Sequence, residues 1–158
     1  MWPWRRRVEV VLASSAGDDA TAALTMILRY HRKPGTFDEV RQAIYEDRTG
    51  ASAAHVVKAA ERFHLRGRGY GLEDSALLAR IPTPCIAHMK PDHGPVPRAS
   101  DAAVYGYFAV VAAISSHRVR WIDPYVGQID NAPAEFFALA SGTFLVFDKA
   151  ASRRGGRR

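Results

Sequence analysis

The stretch SSAGDDATAALTMILRYH, from Ser14 to His31, decides how the first part of the chain folds. Apolar residues recur in it at the spacing of one helix face: Ala23, Met26, Ile27 and Tyr30. Such spacing predicts an amphipathic helix over Ala20–His31. Asp18 or Asp19 is suited to cap it, because a short carboxylate accepts hydrogen bonds from the free amides of a first turn.

Two further helices and then a set of strands follow this stretch. Thr36 with Glu39 forms a capping-box pattern that opens the second helix, and Ser52 opens the third. Short apolar or alternating runs predict strands: Val8–Leu12, Arg66–Leu72, Cys85–Met89, Phe108–Ile114, Val119–Ile122 and Phe144–Phe147. Two small helices are expected near Ser75–Ala79 and Pro133–Ala140. Helices first and an antiparallel sheet afterwards indicate the α+β class.

Charge and length indicate one domain with basic ends. The chain has 158 residues and a net charge of +6, with 22 basic and 16 acidic side chains. Seven of the basic residues are arginines within 1–7 and 149–158, and without them 15 basic side chains face 16 acidic ones. We therefore predict a single domain over 8–148 between two basic tails. We expect no nucleic-acid binding, because nucleic-acid-binding domains carry their positive charge on the folded surface.

The location of the protein is predicted from cysteine and apolar content. Cys85 is the only cysteine, so intramolecular disulfides and multi-cysteine zinc sites are excluded. The apolar run at Val8–Ala13 is interrupted by Glu9 and is shorter than a signal-peptide core of about 7–15 residues. No run approaches the ~20 apolar residues of a membrane span. We expect a cytoplasmic protein, or one held at a membrane through a transporter partner.

Taken in order, these segments resemble a known family. The pieces are ALTMILRYH, GASAAHVVKAAERFHLRGRGYGLE, PCIAHM, YFAVV, RVRWIDPYVGQI and EFFALASGTFLVF. The chain resembles, over about residues 8–147, the papain-like cysteine peptidase domain that removes double-glycine leaders in bacteriocin exporters of the ABC type. The resemblance implies a papain-like fold, with N-terminal helices packed on a C-terminal antiparallel sheet.

The resemblance also implies where catalytic groups would stand. The cysteine position falls on Asp19, the glutamine position on Ala13 and the histidine position on Tyr107, whereas the family's aspartate is retained as Asp123. The chemistry needs a thiolate, a base that is oriented by the aspartate, and an oxyanion donor. Because three of these four groups are absent, the resemblance predicts a degenerate, inactive member with no catalytic residues and no cofactor. Asp19 is then interpreted as a helix cap.

Other residues of the sequence are candidates to replace the missing groups. Cys85 follows Pro84 within a strand, which favours a buried core residue over a nucleophile. His88 and His93 are alternative bases, but no thiolate is evident for them to serve. A metal site that uses Asp18, Asp19, Asp123 and a histidine fits no ligand spacing. Asp123 also suits a turn in DPYVGQ, so its presence alone does not indicate activity.

The leading hypothesis is therefore peptide or protein binding without cleavage. In the resembling family, degenerate domains bind the passenger of an exporter, and a cleft without its nucleophile can still hold an extended chain. Four aromatic side chains are candidates for the substrate-binding wall: Tyr105, Tyr107, Trp121 and Tyr125. The expected partners are a precursor peptide or an ABC exporter, in an accessory role in peptide maturation or export.

Two alternatives stay open at this stage. One is an active cysteine peptidase that cleaves leader peptides with an unorthodox site. The other is an interaction or regulatory module that acts through the long loop Lys90–Gly106, whose prolines, glycines and aspartates indicate a surface segment. The peptide, the pathway, the oligomeric state and the role of the basic tails are not determined by the sequence.

Overall fold

Three helices form the first part of the chain. The computed structural model describes residues 6–46, 51–91 and 106–149. Within these ranges the helices are α1 (Asp19–Tyr30), α2 (Phe37–Tyr45) and α3 (Ala53–Glu61). The predicted positions of all three are confirmed to within a residue or two at most boundaries.

Capping boxes begin α2 and α3. The Thr36 hydroxyl accepts from the Glu39 amide, and the Glu39 carboxylate accepts from the Thr36 amide. At α3, Ser52 makes the same reciprocal pair with His55, whose ring nitrogen Nδ1 replaces the carboxylate. These bonds satisfy amides that have no partner inside the helix, which is why both helices begin where the sequence predicts.

The second part of the chain is an antiparallel sheet. Its strands are β1 (Leu65–Gly71), β2 (Cys85–Met89), β3 (Tyr107–Ile114), β4 (Val119–Asp123), β5 (Gly127–Asn131) and β6 (Ala140–Lys149). They lie in the order β1-β6-β2-β3-β4-β5. A short 3-10 helix, Ser75–Arg80, precedes β2, and α4 (Pro133–Leu139) precedes β6. The α+β class is confirmed.

The sheet separates two apolar cores. On one face α1, α2 and α3 cover residues that include Ile86, Phe108 and Leu145. On the other face α4 and the 3-10 helix cover a second cluster around Trp121 and Phe144. None of the helices in the described ranges has the length and hydropathy needed to cross a bilayer.

The structure differs from the sequence prediction at two segments. Val8–Leu12 is not a strand; Val10 is 42% exposed and Leu12 53% exposed, while Val8 and Val11 pack against the helical core. Gly127–Asn131 is a strand that the sequence did not predict, and the turn predicted in DPYVGQ is formed directly before it, at 124–126. Most of the loop Lys90–Gly106, and most of the two tails, lie outside the described residues. The domain boundaries stay a prediction.

Candidate functional site

The site is built around the first residue of α1. Asp18 occupies the N-cap position but its side chain makes no capping bond, and Asp19 is already helical. The Asp19 Oδ2 atom accepts from the Phe108 amide at 2.8 Å, and Oδ1 accepts from the Tyr125 hydroxyl at 3.0 Å. The interpretation of Asp19 as a helix cap is therefore wrong. The residue is only 8% exposed, and its carboxylate is directed to the sheet, where it joins α1 to β3 and to the turn after β4.

Tyr107 and Asp123 form a buried pair beside this contact. The Tyr107 hydroxyl donates to Asp123 Oδ2 at 3.2 Å, and the Tyr125 amide donates to Asp123 Oδ1 at 2.9 Å. Asp123 has no exposed surface and Tyr107 is 2% exposed. The structure thus brings together the two positions that the resemblance assigns to histidine and aspartate. A phenol hydroxyl can donate to the carboxylate as an imidazole would, but it does not accept a proton near neutral pH as imidazole does.

Ala13 lies at the same end of the sheet. Its amide donates to the Pro124 carbonyl at 2.8 Å, which places the residue against the turn that follows Asp123. A methyl side chain offers no hydrogen bond to a developing oxyanion. All four positions that the resemblance assigns to catalysis therefore converge around the start of α1, the start of β3 and the end of β4.

Arg41 on α2 binds Asp18, the acidic residue directly before α1. Its guanidinium donates to both oxygens of Asp18, at 3.1 Å and 2.8 Å, and the hydroxyls of Ser14 and Ser15 donate to Oδ2. Burial raises the pKa of the Asp18 carboxyl, but the hydrogen bonds from Arg41, Ser15 and Ser14 outweigh it, so the pKa lies below 3.8. Asp18 is therefore ionised at neutral pH, and it anchors the loop before α1 to α2.

Two tyrosines hold Gly17, which has a φ of +86°. The Tyr45 hydroxyl donates to the Gly17 carbonyl at 2.6 Å, and the Gly17 amide donates to the Tyr125 hydroxyl at 3.1 Å. Burial, together with the charges of Asp19 and Asp18, raises the pKa of Tyr45 to about 12. Tyr45 therefore stays a neutral donor in the physiological range, and the turn before α1 is fixed from both sides.

A surface depression lies next to this turn. It has a volume of about 490 Å³ and is lined by Arg41, Gln42, Tyr45, Glu46 and Arg62. The sequence analysis did not identify Arg41 or Tyr45 as part of the site. Their i, i+4 spacing on α2 indicates that they share a helix face, but nothing local indicates that this face meets the start of α1.

The predicted cleft wall is only partly at the surface. Trp121 is 1% exposed; its ring lies 5.7 Å from that of Phe136, and Nε1 donates to Asn131 at 2.8 Å. The prediction that Trp121 and Tyr107 line a surface cleft is wrong, because both side chains belong to the core under α4. Tyr125 is half-buried and lies beside Asp19, whereas Tyr105 lies outside the described residues.

Cys85 and His88 are not brought together as a nucleophile and its base. Cys85 is 0% exposed, and burial raises the pKa of its thiol to about 12. The interpretation of Cys85 as a core residue is confirmed. His88 lies at 2.8 Å from the Ser141 hydroxyl through Nδ1, and its ring contacts Phe108 edge-on at 5.3 Å. His93 lies outside the described residues.

Metal ligands are also not gathered in the part of the chain that the structure describes. No three histidine, cysteine or acidic side chains of residues 6–46, 51–91 and 106–149 group as a metal site would require. The carboxylates of Asp18, Asp19 and Asp123 instead accept from protein donors. The arrangement therefore uses its acidic groups to hold the start of α1 in place.

Comparison with known proteins identifies the same architecture. A sequence model described as "Peptidase C39 family" matches residues 7–152. A double glycine motif protease from an AMS/PCAT transporter, solved in complex with the leader peptide, is 26% identical with a TM-score of 0.75; the match covers 92% of this chain and 96% of that one. No curated protein sequence matches the chain.

Two further solved structures share the fold at lower identity. The peptidase domain of Streptococcus ComA, a bi-functional ABC transporter involved in a quorum sensing pathway, is 16% identical, with a TM-score of 0.72 over 89% of this chain and 97% of that chain. The N-terminal peptidase C39-like domain of a toxin secretion ATP-binding protein from Vibrio parahaemolyticus is 15% identical, with a TM-score of 0.57 over 87% and 99%. The papain-like peptidase fold expected from the resemblance is confirmed.

Proposed function

The chain belongs to the peptidase C39 family, and we propose that it binds a leader-type peptide beside the start of α1 without cleaving it. One observation carries this proposal. At the position that the resemblance assigns to the nucleophile, the Asp19 carboxylate is held by the Phe108 amide and the Tyr125 hydroxyl. A carboxylate engaged in this way is a poor nucleophile toward an amide, and it stabilises the frame of the site instead.

The other groups around Asp19 favour the same conclusion. Tyr107 supplies a donor to Asp123 but no base, and Ala13 supplies no oxyanion donor from its side chain. The sole thiol, Cys85, is fully buried with a raised pKa, so very little thiolate forms at neutral pH. An active cysteine peptidase would need a thiolate that can reach a peptide carbonyl.

Peptide binding is supported by the surface that remains. The depression next to Arg41 and Tyr45 adjoins the turn before α1, and the half-buried Tyr125 contacts the same turn through the Gly17 amide. Aromatic side chains with a polar group are frequent at recognition surfaces. The structurally similar AMS/PCAT protease was solved with a leader peptide bound, which makes a leader-type peptide the first ligand to test. In the cell, such binding would serve the maturation or export of a peptide.

A direct test measures binding and cleavage on the same samples. A fluorescent synthetic leader peptide with a double-glycine site is titrated by anisotropy, and the mixture is then followed by mass spectrometry. We expect saturable binding and an intact peptide. Tyr125→Ala should weaken binding by at least about tenfold, which corresponds to about 1.4 kcal/mol. Tyr30→Ala is the matched control, because this half-buried tyrosine lies at the other end of the 12-residue helix α1, about 17 Å along the helix axis from Asp19.

The outcomes separate the proposal from the active-peptidase alternative. Cleavage at the double-glycine site that is lost in Asp19→Ala or Cys85→Ala would establish an enzyme with an unorthodox site. An absence of binding, or equal losses in Tyr125→Ala and Tyr30→Ala, would remove the proposed peptide site.

Restoring the missing groups tests the placement of the site. The triple variant Asp19→Cys, Tyr107→His and Ala13→Gln puts a thiol at the helix N-terminus, where thiolates are stabilised, and an imidazole next to Asp123. In a Cys85→Ala background, we expect the new thiol to react with iodoacetamide faster at pH 6 than a free cysteine does. A thiol that titrates as an ordinary exposed one would show that the assignment of these positions is wrong.

A further inference from the structure

A second groove lies at the sheet edge formed by β1. It has a volume of about 580 Å³, and apolar or small residues form most of its lining: Ala53, Ala54, Val57, Gly69, Gly71 and Leu145. Between β1 and β3, which carries Tyr107 and Phe108, lie β6 and β2. Strands are spaced by about 4.8 Å, so the groove is about 14 Å from the contact between Asp19 and β3. It is therefore distinct from the site proposed above.

Glycines of β1 leave the floor of this groove open. A Cβ atom added at Gly69 would find only the Leu145 side chain, at 3.8 Å, and one added at Gly71 would find nothing within 4 Å. In contrast, a Cβ atom at Gly67 would lie 2.9 Å from the Phe147 ring, so close packing accounts for that glycine. The space over Gly69 and Gly71 can thus admit a side chain from outside the described chain.

The backbone of β1 is also open to pairing. Among the described strands, β1 pairs only with β6, in a continuous register from Leu65 to Gly71. Its outer amides and carbonyls consequently form a seven-residue edge. Proteins commonly protect such an edge with proline or a bulge, and β1 has neither in the described pairing. An extended peptide can add to an edge of this kind as a further strand.

Unpaired positive charge surrounds the edge. Arg66 and Arg68 alternate with the glycines of β1, and Lys58 lines the groove from α3. None of these three cations forms an ion pair within residues 6–46, 51–91 and 106–149. Glu61 is the one acidic side chain among the groove residues, and Asp148 lies opposite Arg66 on β6, so the three cations exceed these two carboxylates. The local field therefore favours an acidic partner.

We propose that the β1 edge and its groove bind an acidic, extended peptide segment of a partner protein. The segment pairs with β1 as an added strand, places an apolar side chain over Gly69 and Gly71, and directs carboxylates toward Arg66 and Arg68 on the opposite face of the strand. A second copy of this chain is a poorer occupant, because two β1 edges would bring like charges together.

The probe is a fluorescent, acetylated peptide of alternating glutamate and valine, about seven residues long to match β1. Binding is measured by anisotropy at two salt concentrations. Two controls of the peptide are used: lysine in place of glutamate, and N-methylation of alternate amides. We expect binding of the acidic peptide that weakens with salt, and at least about tenfold weaker binding of both control peptides.

Variants of the protein locate the binding. Gly69→Val fills the groove, and the open space at its Cβ position allows the fold to be kept, which circular dichroism checks. The double variant Arg66→Glu, Arg68→Glu reverses the charge of the edge. Each should weaken binding by at least about tenfold. Arg7→Glu is the control, since Arg7 is exposed and lies next to β4, on the other side of the sheet order.

Each remaining outcome overturns the proposal. Binding that survives Gly69→Val, or that is equal for the N-methylated peptide, would exclude strand addition at β1. A lack of binding by the folded wild type would exclude an acidic occupant. If the wild type sediments as a dimer and Gly69→Val sediments as a monomer, the β1 edge binds a second copy of this chain instead. These results are independent of the leader-peptide test, which depends on Tyr125.

Discussion

Replacement of Asp19 by alanine should cost the protein a measurable part of its stability. The carboxylate accepts from the Phe108 amide at 2.8 Å and from the Tyr125 hydroxyl at 3.0 Å. Phe108 is 5% exposed, so its amide would be left buried without this acceptor, at a cost of about 1–3 kcal/mol. Tyr125 is half-buried, and its hydroxyl can turn toward water, which reduces its share to about 0.5–1.5 kcal/mol.

The loss of a negative charge at the helix start adds about 0.3–1 kcal/mol, and relief from burying that charge acts in the opposite direction. We therefore expect Asp19→Ala to lower the free energy of unfolding by about 2–4 kcal/mol. The measurement is urea unfolding followed by circular dichroism, with the m-value compared between variants.

Asp38→Ala is the matched control for this experiment. Asp38 also lies in the first turn of a helix, but its side chain is 84% exposed and pairs with Arg41 at the surface. Its removal should change the free energy of unfolding by less than about 1 kcal/mol. If Asp19→Ala is no more destabilising than Asp38→Ala, the Asp19 carboxylate does not hold α1 to β3 in solution.

Three further outcomes are expected. Arg41→Ala should lower the free energy of unfolding most above about pH 4, and less as the pH falls, because protonation of Asp18 at its lowered pKa removes the ion pair with Arg41. A loss that does not depend on pH in urea titrations would contradict this ion pair. Native Cys85 should react with Ellman's reagent far more slowly than in urea, since the thiol has no exposed surface and burial raises its pKa to about 12; rapid native labelling would favour the active-peptidase alternative. Tyr125→Phe should cost about 0.5–1.5 kcal/mol in urea unfolding through its bonds to Asp19 and Gly17, and no change would show that these bonds are not formed in solution.

Local patterns explain which elements were predictable. Thr36 and Glu39 lie three residues apart and complete a capping box within one turn, so α2 could be placed from sequence. Cys85–Met89 was predicted with the observed bounds, because a short apolar run is typical of a strand buried on both faces. The strand Gly127–Asn131 was missed since it is half-exposed and polar, and it is stabilised by pairing with β4 rather than by its own composition.

The hydrogen bonds of the site were harder to predict from the sequence than the positions of its residues. The resemblance assigned roles to Asp19 and Tyr107, and the structure brings their neighbourhoods together. The bond between Asp19 and the Phe108 amide joins residues 89 positions apart, and the bonds from Arg41 to Asp18 depend on how α2 crosses α1. Such bonds depend on tertiary packing, which cannot be predicted from the local spacing of residues in the sequence. For the same reason Trp121 could not be distinguished in advance as a core residue rather than a wall residue.

The bond between Asp19 and β3 also bears on how this position can change. Any single exchange of Asp19 for cysteine removes an acceptor from two donors at once, and the stability is lost before an imidazole or an oxyanion donor is available to make the thiol useful. A path toward catalysis therefore descends in stability at its first step and gains activity only at a later one. An exchange of Asp19 for cysteine would therefore have to be accompanied by stabilising changes elsewhere in the chain.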